Sequence, residues 1–396
     1  MKINKKFMQK SGLIAVSALL IGSAAFCTAI RVIRAGIPVP VNTFAAATTL
    51  PAGNGRYNII QTPSSTESKN TGKTKTSSSE SSEIKEEESS LTAKEVIKEN
   101  NKQTSSPSFD SSAASSEEIE KYDKEHEGEE QFPVLEFTST DGNVSYNGIQ
   151  VKKSSSSDIN IKKELESELG FKIEKSTEPQ VLIYHTHTSE SFLDYDTGYY
   201  YESFYPRTSD KSKNVCAIGD EIAKQLNAAG IVTIHDTTVH DDPSYNGAYD
   251  RSMDTIYKNL KKYPSIKVVL DIHRDGIGTD TQRSKPVFTV NGKKAAQIMI
   301  LAGYNYDDDE EYKDWEYNLR FALQIQKTAG EMYPDMVRPL SFGDFMYNMN
   351  VNTGSLLIEV GADSNTVEEV RYTGYLLGNV LKKVLDPDKK YGNNDN

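Results

Sequence analysis

The sequence is poor in cysteine, histidine and tryptophan, and it has no excess of positive charge. Its 396 residues include two cysteines, six histidines and one tryptophan. Cys27 and Cys216 stand far apart in different kinds of segment, which gives no support to a disulfide framework or a cysteine-based zinc site. On that reading any metal must be held by histidine and carboxylate side chains. Forty-five Lys and Arg against 57 Asp and Glu leave a net charge of −12. A nucleic-acid partner is therefore not expected, since binding one needs a basic face.

What is present first is a long apolar run at the N-terminus. Lys2, Lys5, Lys6 and Lys10 precede an uncharged stretch from Ser11 to Ile30. Twenty helical residues span about 30 Å, the thickness of a hydrocarbon core. The reading is a single-pass transmembrane anchor over 11–33, with residues 1–10 cytoplasmic. The alternative is a cleaved signal peptide, whose apolar region is usually shorter. Four lysines before the run against Arg31 and Arg34 after it favour a cytoplasmic N-terminus. The rest of the chain is then expected outside the cytoplasm.

Residues 34–130 are read as a disordered linker. Stretches such as "SKNTGKTKTSSSESSEIKEEESS" have almost nothing apolar to bury against the entropy of ordering. Residues 131–177 read as a lead-in segment, with "FPVLEF" a strand and "NGIQVKK" a turn and short strand. The main domain is expected over 178–388, followed by a disordered tail at 389–396.

Within that domain strands alternate with helices. "VLIY", "IVTIHDTTV", "IKVVLDIH" and "SLLIEVG" read as strands. Val215, Ile218, Ile222 and Leu226 form a helical face, with Gly230 where a C-terminal cap belongs. Further helices are expected at 248–262, 312–333 and 366–385. "VFTVNGKKAAQIMILAG" reads as two strands around the hairpin signal Asn291-Gly292. The fold class is α/β, a mainly parallel twisted sheet with flanking helices.

Sites in open α/β sheets form at the carboxyl ends of strands. Three strand ends carry ligand-type residues. "VLIYHTHTSES" gives His185, His187 and Glu190, "VVLDIHRD" gives Asp271, His273, Arg274 and Asp275, and "LLIEVG" gives Glu359. His187, Glu190 and His273 make a His–Glu–His set for Zn2+, with a fourth position left for water. Glu359 is placed to shuttle protons. Arg274 is read as stabilising the oxyanion or binding a peptide carboxylate, with a salt bridge to Asp271 or Asp275 as its structural alternative. His185, two positions from His187 and expected on the same side of an extended strand, is the rival histidine. Asp210, expected to cap the helix starting at 213, is the rival carboxylate. His235 and His240 read as surface or packing residues. The tyrosine-rich stretch 194–207 reads as a lid over the site.

"VLIYHTHTSESF", "KNVCAIGDEIAKQL", "VVLDIHRDG" and "SLLIEVGADSNTVEE" together resemble the stage II sporulation protein P family, over roughly 179–388. The resemblance implies a zinc-dependent N-acetylmuramoyl-L-alanine amidase acting on peptidoglycan. It also implies endopeptidase activity on peptide crosslinks, a role in forespore engulfment, and stage II sporulation proteins D and M as partners. In the wider amidase group the first strand ends in a Gly-His pair, and Thr186-His187 stands at that place here. That group takes its carboxylate ligand from the start of the next helix, which here falls near Asp210 and departs from the Glu190 assignment. The other functions open to the residues are a zinc carboxypeptidase and a non-catalytic wall-binding scaffold.

Overall fold

A computed structural model describes Phe109 and residues 114–392, apart from Asp308. The expected anchor at 11–33 and most of the expected linker lie outside the described residues. Among the described residues, no helix is long and apolar enough to cross a membrane.

The chain runs α1 (Ser116–Glu125), β1 (Gln131–Phe137), β2 (Val144–Tyr146), β3 (Ile149–Lys153), α2 (Ile161–Glu166), β4 (Val181–Tyr184), β5 (Tyr199–Tyr201), α3 (Cys216–Ala228) and β6 (Thr233–His235). It continues through α4 (Ala248–Lys262), β7 (Val268–Asp275), β8 (Gly278–Thr279), β9 (Gln282–Val290), β10 (Lys293–Ala296), β11 (Ile298–Gly303), α5 (Trp315–Met332), β12 (Leu340–Gly343), β13 (Ser355–Ala362) and α6 (Val367–Val384).

The fold is mixed α/β. The larger sheet has eight strands in the order β2-β3-β12-β11-β13-β7-β4-β6. β13, β7, β4 and β6 run parallel, and β11 meets β13 antiparallel. β4, β7 and β13 are buried along their whole lengths. Near-continuous apolar runs of this kind suit parallel strands covered on both faces. Side-chain alternation sorts the core. Ile183, Leu270, Ile272 and Ile358 pack with Ile218 and Ile222 of α3 and Leu376 of α6. Leu182, Tyr184 and Val269 pack with Ile256 of α4. Helices α3 and α6 come close because Gly374 and Gly378 face Ile218 and Gln225, where an added Cβ would lie 3.0 and 2.7 Å from the nearest atoms.

A second sheet, in the order β10-β9-β1-β5 with β8 on β9, goes beyond the single sheet expected from the sequence. The expected hairpin is there, turning at Asn291 and Gly292 with φ of 53° and 73°. The strand after it, however, is two strands in two sheets. β10 ends at Ala296 in the small sheet and β11 begins at Ile298 in the large one. Between them Gln297 is fully buried and donates to the carbonyls of Ser139 and Asp335. A polar residue inside an apolar run thus marks the crossing. Lys285 of β9, 1% exposed, ties the small sheet to α6 through Asp196 and Glu369 at 2.7 and 2.8 Å.

The stretch read as lead-in supplies β1 to the small sheet and β2 and β3 to the large one. Helix α1 lies within the stretch read as linker. A capping box between Ser115 and Glu118 starts it. The hydroxyls of Tyr199 and Tyr201 donate to its Asp123 at 2.6 and 2.8 Å. Those tyrosines belong to the stretch expected to form a lid; they brace α1 and pair with β1 instead. Tyr391, in the stretch read as tail, donates to the Val384 carbonyl at 2.6 Å.

Candidate functional site

Three strand ends converge. On the parallel pair β7–β13, His273 and Glu359 are register partners, and Tyr184 at the end of β4 is the partner of Asp271. Alternation places Asp271, His273 and Glu359 on the α4 face and Arg274 on the α3 face. A register shift follows Glu359, with Gly361 at φ +68°. Bulges of this sort bend a strand where a side chain must be re-aimed.

β4 stops at Tyr184, and the Glu190 N–H returns to the His187 carbonyl at 3.1 Å. That turn brings His187 against His273 and Tyr249, with ring centroids 5.4 and 5.6 Å apart. Tyr245 lies flat on the same imidazole at 4.1 Å. His187 is buried, yet neither ring nitrogen has a hydrogen-bond partner. Burial pulls its pKa down to about 4, with Glu190 opposing, so the ring is neutral with a free lone pair.

Glu190 lies 3.5 Å from His273 Nδ1, accepts the Arg274 backbone N–H at 3.3 Å and has Arg207 at 3.9 Å. Burial would raise its carboxyl, but Arg274 and His273 hold it below the ordinary carboxylate range. His273 Nε2 is 2.8 Å from Asp271 Oδ1, too oblique for a hydrogen bond. Burial would lower His273, but Asp271 and Glu190 raise it well above the ordinary imidazole value. Asp271 also accepts the Thr186 N–H at 2.9 Å and its hydroxyl at 2.6 Å, which fastens the tip of β4 to β7. Glu359 is 3% exposed and its Oε2 has no partner. Burial pushes its pKa up to about 8.

The remaining expected residues go elsewhere. Arg274 does not pair with the side chain of Asp271 or Asp275, nor does it point a free guanidinium at the cluster. It donates to the carbonyls of Ser191, Asp275 and Pro206 at 3.2, 3.2 and 2.8 Å. Asp210 is exposed and closes a local turn, accepting from Ser212 N–H and Oγ at 2.9 and 2.7 Å. It does not cap the next helix, which begins at Cys216 with Val215 as its uncapped N-cap. His185 turns to the α3 face and meets Ile272 and His235. His240 is a packing residue, bonded to the His185 carbonyl and Thr255. Sequence reasoning left Asp271, Tyr245, Tyr249 and Arg207 without a role at this site. The alternation of Asp271 with His273 was the available signal for the first; the other three come from loops and α4.

Among the described residues, two groups of three ligand-type side chains bring donor atoms within 4.8 Å of one another: His185, Cys216 and His235, and Glu136, Asp196 and Glu369. The second is filled by the ammonium groups of Lys285 and Lys294. Glu190 and His273 lie within that range of each other, at 3.5 Å, and His187 stands farther out.

The arrangement defines an α/β domain with a buried histidine–carboxylate cluster at the carboxyl ends of parallel strands. The chain belongs to the stage II sporulation protein P family, which it matches over residues 52–382. No curated protein matches it. Among solved structures it is similar to the N-acetylmuramoyl-L-alanine amidase AmiC2 of Nostoc punctiforme, with 12% identity and a TM-score of 0.31 over 52% of this chain and 94% of that one. It is similar also to the CwlD amidase of Clostridioides difficile in complex with the GerS lipoprotein, with 15% identity and a TM-score of 0.30 over 53% of this chain and 100% of that one. A third is the amidase Ami1 of Mycobacterium abscessus, with 13% identity and a TM-score of 0.29 over 52% of this chain and 99% of that one.

Proposed function

We propose that the chain is a zinc-dependent peptidoglycan hydrolase that cleaves the amide between N-acetylmuramic acid and L-alanine, and also peptide crosslinks, during forespore engulfment. The observation that carries the reading is His187, a neutral buried imidazole whose two nitrogens have no partner. Beside it are an ionised Glu190 and a second histidine, the donor chemistry that zinc takes. His187, Glu190 and His273 would hold the ion. Zinc there would act as a Lewis acid on the amide carbonyl and make water a stronger acid.

The chain's own groups do the rest. Burial alone keeps the Glu359 carboxyl protonated; a cation held by the neighbouring His273 would favour its ionised form, which takes a proton from the attacking water and returns it to the leaving amine. Asp271, 2.8 Å from His273 Nε2, holds that ring by charge. Arg274 ties Ser191 and Pro206 to β7 and so keeps Glu190 beside His273; its role is positioning. Family membership supports the wall substrate. An N-terminal anchor at 11–33, a catalytic domain outside the cytoplasm, and stage II sporulation proteins D and M as partners complete the proposal.

Digestion of purified peptidoglycan by the zinc-loaded chain tests it. The expected products are free muramoyl lactyl ends and new L-alanine amines. Loss of C-terminal residues alone would make it a carboxypeptidase. No products at all would leave a wall-binding scaffold.

A further inference from the structure

On the α3 face of the sheet, away from the cluster just described, His185 and His235 meet edge to face. Their Nε2 atoms are 2.7 Å apart. The other nitrogen of each ring fixes its tautomer. His185 Nδ1 is 2.8 Å from the Ile272 carbonyl, which can only accept. His235 Nδ1 is 2.8 Å from an Asp220 carboxylate oxygen. Both Nδ1 atoms therefore carry hydrogen, and in neutral rings both Nε2 atoms present lone pairs to each other. Two lone pairs at that distance require a cation between them.

The surroundings say which cation. Cys216, buried at the start of α3, brings its sulfur within 4.8 Å of one nitrogen of each ring. A carbonyl and a carboxylate on the rear nitrogens are the usual outer partners of metal-binding histidines. Helix α3 is cut away under the pair. A Cβ on Gly219 would lie 2.4 Å from His235 Nε2 and 3.0 Å from His185 Nε2. A shared proton would use two of these three donors and leave the sulfur idle. A tetrahedral ion at zinc-like bond lengths sets its N and S ligands roughly 3.3–3.6 Å apart. The imidazoles would open by about 0.6 Å and the sulfur would close by up to about 1.2 Å, which are side-chain adjustments.

We propose that His185, Cys216 and His235 form a second metal site, for a thiolate-binding transition metal ion such as zinc, distinct from His187, Glu190 and His273. It would pin the tip of β4 to α3 and β6, directly behind the turn that carries His187.

Cobalt(II) alone is the probe, because only a thiolate site gives a sulfur-to-metal charge-transfer band in the near ultraviolet. The metal-stripped full-length chain, carrying Cys27→Ser so that Cys216 is its one thiol, is titrated under reducing conditions. The band is expected to appear with cobalt, to vanish in Cys216→Ser and to weaken at least tenfold in His235→Gln. His187→Ala should keep the band whether or not His187 binds metal, which separates this site from the hydrolytic one. A band that survives Cys216→Ser would overturn the assignment, as would its absence from the unsubstituted site. Nitrogen-15 spectra showing one proton shared between His185 and His235 in the cobalt-saturated chain would also overturn it, in favour of an imidazole–imidazolium pair.

Discussion

His185 and His187, one residue apart, face opposite sides of the large sheet. His185 Nε2 meets His235 on the α3 side, whereas His187 packs on Tyr249 of α4. The chain turns between them because β4 ends at Tyr184. Substitutions at either side should therefore have separable effects.

The carboxylate ligand is the first test. Glu190→Ala should weaken zinc binding at the hydrolytic site by at least about 100-fold, the upper end of the loss from an outer partner. Asp210→Ala should leave zinc binding unchanged and alter stability little, as the loss of a local turn contact on the surface. Zinc affinity by competition with a chelating dye reads both.

Glu359→Gln keeps shape but cannot accept a proton. Peptidoglycan hydrolysis should fall by at least about 100-fold, the lower end of a general base's contribution. Zinc content and far-ultraviolet circular dichroism should be unchanged. Near-wild-type turnover would remove Glu359 from the mechanism.

The same group makes a pH prediction for the metal-free chain. Burial raises Glu359 from 4.5 to about 8 in the fold. Between those values the folded state keeps a proton that the unfolded state has released. Stability therefore falls as pH rises from about 4.5 to about 8, by on the order of a few kcal/mol from this group. Glu359→Gln should flatten that slope in urea melts at pH 5, 6.5 and 8. An unchanged slope would assign the dependence to other groups.

Arg274→Lys should behave as a positioning defect. One ammonium cannot span the carbonyls of Ser191, Asp275 and Pro206, so stability should drop by about 1.5–3 kcal/mol, the value of a hydrogen bond to a charged group. A fall in kcat together with weaker zinc binding is expected, because Glu190 loses its fixed place. A raised KM alone would instead make Arg274 a substrate contact.

Protease added to intact protoplasts should degrade residues 178–388. Protection would overturn both the extracytoplasmic placement and the wall substrate.

Much of the fold was legible because apolar runs and turn residues carry it. The helix at 248–262 and the turn at Asn291-Gly292 stand where periodicity and turn chemistry put them. Of the small sheet only the hairpin over 282–296 was legible, since the strands from 131–137 and 199–201 join it across long separations. Register is a tertiary property, and no local pattern records it. At the candidate site, strand position was enough to place His273 and Glu359 side by side on adjacent strands. Two-residue alternation failed for His185 and His187 because it holds only while the strand continues. The surroundings of Arg274 were not legible for a related reason: its neighbours on the far face are backbone carbonyls, which leave no trace in residue type.

The placement of β1 has a mechanical consequence. It lies inside the small sheet between β5 and β9 and is the first strand after α1. Tension that had freed Phe109 from Tyr372 and α1 from Tyr199 and Tyr201 would reach β1 at Gln131. The ladders to Tyr199–Tyr201 and to Arg283–Pro286 would then be loaded in shear, with their hydrogen bonds resisting together rather than peeling one by one. If the proposed anchor loads the chain, that sheet carries the strain, and the strand ends beside His187, His273 and Glu359 belong to the other.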